Sequence, residues 1–373
     1  MSRFDAIVVG GGIMGCTTAL WLARGGMRTA LIERDAIARS ASGVNAGTLT
    51  LHMTRAALVP YALEGWRLWA AAATWLGHDV GVVTTPGLCL AFTEAEATLL
   101  EQRSAVRREQ GAPIDVITPD RARDIEPGLG GSLKLAAHSP IDGHVPAYLT
   151  GLAYKRALAE ADCTLLERQP VTAIDRLAEG FRVHAGKAVV ETKRLVLASG
   201  VWLEPLLALL NLSLPIKTLI NQLVVLERLP PVMRTVITIA SGLLSLKQFT
   251  NGTVLIGGGW QGKGDRETGE TTIIPENLIG NVQLAAHAVP ALRGGRILRS
   301  WAGFEAETAD AMPIVGPVPG IANAYVIGSV HSGYTSAPFM GRLLADHMLG
   351  RDAVMPLFPM DRLLIGTEQG VVA

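Results

Sequence analysis

Cysteine is scarce in this chain: three residues in 373, at Cys16, Cys89 and Cys163. Their wide spacing excludes a zinc or iron–sulfur ligand pattern built by this chain alone. An odd count without a disulfide framework fits a reducing compartment, so a cytoplasmic protein is expected. Net charge is lacking too, since 33 Lys and Arg balance 33 Asp and Glu. No basic stripe with interleaved aromatics occurs, which argues against nucleic-acid binding. A long apolar run is also missing. The most apolar later stretch, residues 201–216, is interrupted by Glu204, Pro205 and Pro215. It is too short to cross a bilayer comfortably and predicts buried helix and turn. The N-terminus does not read as a signal peptide, because Arg3 and Asp5 lead into a strand-like run that enters a glycine loop. Neither an internal repeat nor a low-complexity segment is evident.

Apolar side chains are plentiful, at 49% of residues, and the mean hydropathy is +0.31. A sizeable core follows. The high hydropathy has two sources to weigh: abundant Ala, Leu and Val, or a surface buried against a partner subunit.

The N-terminal unit carries the most information. Residues 5–10, DAIVVG, predict a short strand buried on both faces. Gly10, Gly12 and Gly15 stand at the glycine positions of G-x-G-x-x-G, with Ile13 and Met14 between the last two. A helix is expected over 16–24, ended by Gly25 and Gly26. A second strand is expected over 29–32, running into Glu33 and Arg34. Each part has a job. Gly10 permits the tight turn, Gly12 the approach of a pyrophosphate, and Gly15 close helix–strand packing. The helix N-terminus offers N–H groups to phosphate, and Glu33 is placed to hold ribose hydroxyls. This order predicts dinucleotide binding without choosing between FAD and NAD.

Later segments bear on that choice. Residues 39–48, RSASGVNAGT, form a small, polar, glycine-containing loop suited to laying N–H groups along a cofactor. Residues 194–202 predict a buried strand ending in a small-residue turn, Ala-Ser199-Gly200, followed by Trp202. Near the C-terminus come WAGFEAETADAMPIVG (301–316), a strand over 324–328, the turn HSGYT (331–335) and a helix over 337–349. Between these lie strand-like residues 81–90, a charged amphipathic helix over 94–110 and a short helix over 118–125. Further strands are expected over 221–227 and 253–258. Lys247 and Gln248 lie on a strand leading to the hairpin signal Asn251-Gly252.

Together these marks resemble the D-amino-acid-oxidase-like, glycine/sarcosine-oxidase type of FAD-dependent oxidoreductase. They are the N-terminal fingerprint, S-x-x-N-x-G at 42–47, the turn at 198–200, Asp142-Gly143 with Pro146, and Asp310…Pro313…Gly316. The resemblance covers nearly the whole chain. WAGFE…TAD..PIVG and HSGYTSAP bring it nearest to β subunits of bacterial opine, proline or hydroxyproline dehydrogenases.

The resemblance implies an α/β fold, a Rossmann-like FAD-binding lobe interleaved with an α+β substrate lobe that carries a mixed or antiparallel sheet. The FAD lobe would comprise 1–80, 145–215 and 310–365, and the substrate lobe 81–144 and 216–309. It implies non-covalent FAD: no cysteine follows Cys163, so linkage through a C-terminal cysteine is excluded. It also implies removal of a hydride from the carbon bearing the amine, delivered to flavin N5. Cofactor contacts are then expected from Ser42, Asn45, Ala46, Gly47 and Thr48. Others are Val171 beside the adenine, Ser199, Gly200, Trp202 and Gly303, and the backbone of Ser332, Gly333, Tyr334 and Thr335.

One departure stands out. Many such relatives place an arginine two residues after the glycine of Trp-Ala-Gly, where it grips the substrate carboxylate. Here Glu305 stands there. Glu305 either recognises a cationic group, as in a guanidinium-bearing opine, or is solvated or paired with an arginine such as Arg299. His52 and His331 are candidates for tuning the amine's protonation, against a structural role for each. Lys247 is a candidate for activating oxygen or a solvated lysine. Tyr334 is a candidate pocket wall, and His144 a weaker one. Three settings remain: a catalytic β subunit in opine catabolism, passing electrons to a partner with a second flavin or an iron–sulfur centre; a free-standing oxidase; or a non-catalytic flavin-binding subunit.

Overall fold

The computed structural model describes residues 3–331 and 333–364. Its first sheet has eight strands and is centred on Arg3–Val9. That strand runs parallel to Thr29–Ile32 on one side and to Ala188–Leu197 on the other. Thr164–Leu166 extends the sheet in parallel beyond Thr29–Ile32. The long strand Ala188–Leu197 serves two partners along one edge. Its first half pairs antiparallel with Gly180–Ala185, which pairs with Val171–Leu177. Its second half pairs in parallel with Ala324–Gly328, which is flanked by Ile314–Pro317.

Both faces of the central strands are covered, which is why they read as unbroken apolar runs. Ala6, Ile7 and Val8 are fully buried, as are Ala30 and Leu31. The helices Ile13–Arg24 and Ala337–Met348 pack together on one face. Their contact is close: a Cβ on Gly341 would lie 2.6 Å from Thr17 Cβ. Leu203, Leu207, Leu210 and Leu214 cover the other face, so residues 201–216 are the buried helix and turn expected of them. Among the described residues no helix is long and apolar enough to cross a membrane.

The second sheet also has eight strands. Their order is Ile297–Glu307, Lys217–Leu226, Val254–Gly257, Ser245–Gln248, Val236–Ile239, Gly87–Ala91, Leu135–Ser139 and Asp115–Ile117. All neighbours are antiparallel except Val236–Ile239 with Gly87–Ala91. Helix Pro275–Ala288 packs on one face and Glu94–Glu109 on the other. A small three-stranded sheet, Thr48–Leu49, Gly143–His144 and Val83–Thr84, joins the end of the 39–48 loop to two later segments that flank strands of the second sheet.

Several boundaries are corrected. The first helix starts at Ile13, not residue 16, because extended Gly12 is its N-cap. Gly15 therefore sits in the first turn, where a Cβ would lie 2.0 Å from Gly10 O. Gly26, with φ +87°, supplies the left-handed turn at the other end. The strand expected over 81–90 splits into Val83–Thr84 and Gly87–Ala91, with Pro86 between them lacking the N–H a ladder needs. The strand expected from 221 begins at Lys217, because its pairing with Ile297–Glu307 continues to Lys217↔Glu307.

Candidate functional site

Two adjoining cavities lie between the sheets. The larger holds about 470 Å³ and follows the first sheet's strand ends. Gly10, Gly12, Ile13, Met14 and Gly15 line it, as do Glu33, Arg34, Ser42 and Asn45. So do Val171, Ser199, Gly200, Trp202, Gly333 and Tyr334. The smaller cavity, about 150 Å³, includes Ala46, Thr48, Gly303, Glu305, His331 and Thr335 in its wall. Asn45, Glu305 and Tyr334 line both, so the two share a wall. Gly47 lines neither. With φ +65° and Val145 O 1.9 Å from where its Cβ would be, it shapes the loop instead. Ser332 lies outside the described residues.

The larger cavity suits a polar, dinucleotide-shaped ligand. Glu33 is fixed by backbone amides: Gly11 N donates to its Oε2 at 2.7 Å and Asp35 N to its Oε1 at 2.9 Å. The Arg34 guanidinium lies 3.4 Å from the centre of the Trp202 ring, and both residues face the cavity. Ser199 Oγ and Ser329 Oγ are buried at this wall without a hydrogen-bond partner. Each such orphan costs about 1–3 kcal/mol, which a polar ligand would relieve. Gly200 (φ +57°) and Gly328 (φ +134°) leave nothing within 4 Å of a would-be Cβ, so side chains there would enter the cradle. FAD fits this set of groups.

The loop 39–47 roofs the junction. Ser42 Oγ accepts from Ile13 N at 3.1 Å. Strand Ile297–Glu307 clasps the loop from the far side: Trp301 Nε1 donates to Val44 O at 2.9 Å. A Cβ on Gly303 would lie 2.2 Å from Val44 Cγ2, so only glycine admits this contact.

Glu305 projects from that same strand. Its Oε2 accepts from Asn221 Nδ2 at 2.6 Å and lies 2.7 Å from His331 Nδ1. Burial disfavours a charged His331 ring, but the bond to Glu305 and its charge outweigh this and raise the pKa above its ordinary value. Arg55 braces the turn by donating to His331 O and Glu307. The suggested pairing with Arg299 is corrected: that guanidinium lies over the Trp301 ring, 5.0 Å from its centre. Among the described residues lining the smaller cavity there is no arginine and no lysine.

Other expected residues sit deeper. His52 does not reach either cavity. Its Nε2 lies 3.4 Å from Gly87 O, and burial, assisted by Arg107, pushes its pKa down to about 3. A ring held neutral there cannot exchange protons with an amine near neutral pH. Lys247 is 1% exposed and, among the described residues, reaches the cavity through Thr48, whose Oγ1 accepts from Nζ at 2.5 Å. It is not a solvated lysine. His144 is buried beside it, its pKa pushed down to about 3 by burial and by Lys247. The Tyr334 ring stacks on Trp69 with centroids 5.2 Å apart, and its hydroxyl bonds Thr150 Oγ1, so its polar tip points away from the pocket.

Two residues escaped the sequence. Asn221 reaches Glu305 because it pairs with Gly303 across the sheet. Asp142 lies fully buried under Thr50, whose Oγ1 donates to Oδ2 at 2.5 Å; burial pushes its carboxyl up to about 7, against that hydrogen bond. The Asp142-Gly143 dipeptide was visible, but its role depends on a partner 92 positions away.

A family model described as FAD dependent oxidoreductase matches residues 5–347. The chain is 29% identical over 366 residues to glycine oxidase of Geobacillus kaustophilus (strain HTA426), covering 96% of each. It is 28% identical over 351 residues to an opine oxidase subunit of Rhizobium meliloti, covering 90% of this chain and 91% of that one. The crystal structure of the G. kaustophilus glycine oxidase matches with a TM-score of 0.84 at 26% identity, covering 95% and 97% of the two chains.

Proposed function

Because the chain belongs to the FAD dependent oxidoreductase family, we propose that it oxidises an opine-type secondary amine carrying a cationic group, as the catalytic subunit of a larger dehydrogenase. In its general chemistry it is an FAD-dependent enzyme that oxidises a C–N bond of a small amine or amino acid. Bound FAD supplies the two-electron acceptor that no side chain here offers.

The chain's own residues bind and orient. Glu33 is set for ribose hydroxyls, and Ser199, Ser329 and the first helix's N-terminus for the cofactor's polar groups. Tyr334 lines both cavities, and Asn221 and His331 hold Glu305 in one orientation. The observation that carries the substrate reading is Glu305 in a wall without arginine or lysine among its described residues. Glu305 is paired with His331, whose cationic form it favours, so the wall offers a substrate cation a carboxylate acceptor but, among those residues, offers a free carboxylate no arginine or lysine to grip it. The subunit reading is supported by relatives that are named as subunits of opine oxidases. Any iron–sulfur centre would belong to a partner.

The test is anaerobic reduction by a panel of arginine- and lysine-derived opines, sarcosine, glycine, proline and D-amino acids, followed by flavin absorbance. The cationic opines should bleach it at the lowest concentration. Glu305→Gln should raise their KM by about 10- to 100-fold, the worth of one charge-assisted hydrogen bond. Equal use of glycine and the opines, unchanged in that variant, would sink the substrate reading.

A further inference from the structure

Lys247 is the least expected side chain of the second sheet. It lies on Ser245–Gln248, between the uncharged strands Val236–Ile239 and Val254–Gly257. It is 1% exposed and makes no ion pair among the described residues. The titratable group that feels it is His144, on the strand paired with Thr48–Leu49, and that ring is held neutral. A buried ammonium without a counter-charge is costly, so the lysine favours its neutral amine. Burial accordingly brings its pKa down from 10.5 to about 7.

Among the described residues the amine has one hydrogen-bonded route outward. Nζ meets Thr48 Oγ1 at 2.5 Å, and Thr48 Oγ1 meets Ser245 Oγ at 2.8 Å. Thr48 and Ser245 both line the smaller cavity. A secondary amine arrives there mostly as its ammonium ion, yet its nitrogen lone pair must be free before the C–N bond can be oxidised.

We propose that Lys247 receives the substrate's ammonium proton through the hydroxyls of Thr48 and Ser245. The substrate N–H bond breaks as its proton passes to a hydroxyl oxygen. That hydroxyl's own proton passes along the pair to the Nζ lone pair, so an ammonium forms on Lys247 while the substrate becomes a neutral amine. No oxidant or co-reactant is consumed, and the net charge of the complex is unchanged. Lys247 is thus a relay residue acting through Thr48, not a group touching substrate. The inference rests on the amine-oxidation reading above.

The experiment measures kcat/KM against pH for whichever panel compound bleaches the flavin, in the FAD-loaded protein and in Thr48→Val, Thr48→Ser and Lys247→Met. With the relay, the profile is a bell bounded by Lys247 near pH 7 and by the substrate's own amine near pH ~10. Without it, only neutral amine is productive. Thr48→Val and Lys247→Met should then climb steadily to the amine's pKa, about 100-fold below the parent at pH 8. Thr48→Ser keeps the hydroxyl and should keep the bell. A second readout needs no turnover: urea unfolding of the parent and Lys247→Met between pH 6 and 11. The folded lysine binds fewer protons than the unfolded one between about 7 and 10.5, so parent stability should rise with pH across that window relative to the variant. Should Lys247→Met fail to fold, the two Thr48 variants decide alone. A Thr48→Val profile that keeps the parent's bell overturns the relay, as does a flat stability difference. If no amine bleaches the flavin, the amine-oxidation reading fails first and the relay falls with it.

Discussion

Replacing Asp142 by asparagine should stabilise the protein at high pH and weaken it at low pH. The carboxyl is fully buried and titrates at about 7 instead of 3.8. Between those values the unfolded chain is ionised while the folded one is protonated. The fold therefore binds more protons, and stability falls as pH rises through the window. Each pH unit costs about 1.4 kcal/mol, so the penalty reaches about 4 kcal/mol once the pH exceeds 7. Asparagine removes that titration. It fits the same space, in which the carboxylate lies 1.9 Å from where a Cβ on Gly87 would be. It can still accept from Leu51 N, but the hydroxyl proton of Thr50 loses its acceptor, at a cost of about 1 kcal/mol. The net expectation is destabilisation by about 1 kcal/mol at pH 4 and stabilisation by about 3 kcal/mol at pH 8. Urea unfolding of both proteins at half-unit pH intervals, with saturating FAD, gives the difference directly. A difference that stays constant from pH 4 to 8 would refute the assignment of a neutral buried carboxyl.

Other expectations follow from the same geometry. Gly328→Ala places a methyl group in the cofactor cradle at φ +134°; FAD affinity should fall at least tenfold, read by equilibrium dialysis, and an unchanged affinity would move the cofactor elsewhere. Ser199→Ala combined with Ser329→Ala removes two buried orphan hydroxyls. The apoprotein should gain stability while FAD binds more weakly; equal shifts in both would deny these hydroxyls a cofactor role. Acid precipitation should release all the yellow colour into the supernatant, because a C-terminal cysteine link is impossible; retained colour would require another covalent attachment.

The lining of the larger cavity was legible because its signals are local. Gly10, Gly12, Gly15 and Glu33 act within one strand–turn–helix–strand unit, and Ser199 and Gly200 within one turn. Their spacing in sequence is their spacing in space. The substrate end was less legible because it is assembled across the chain. Thr48 meets Ser245 at a separation of 197 positions and Lys247 at 199. No periodicity reports such a pairing. His52 looked like a flavin neighbour because it follows the cofactor loop closely. The chain turns inward after Leu49, however, and the ring is spent on Gly87. Glu305 was visible as a departure, but its partners Asn221 and His331 depended on strand register and on the folding back of the C-terminal turn.

The contact between Gly303 and Val44 carries a consequence for how such a sequence can vary. Val44 lines the smaller cavity, and Gly303 lies two residues before Glu305, on the strand that clasps it. Neither position is free while the other stays fixed. Gly303→Ala alone must push the roof away or bend the strand, whereas beside Val44→Ala the 2.2 Å clash is gone and a tight 3.1 Å approach to the Cβ of residue 44 remains, which a shift of a few tenths of an ångström relieves. The two substitutions should therefore be strongly non-additive, with the double variant healthier than the first single one. A side chain at position 303 therefore has to wait for a smaller one at position 44, and the order in which the two changes arise decides whether the intermediate survives.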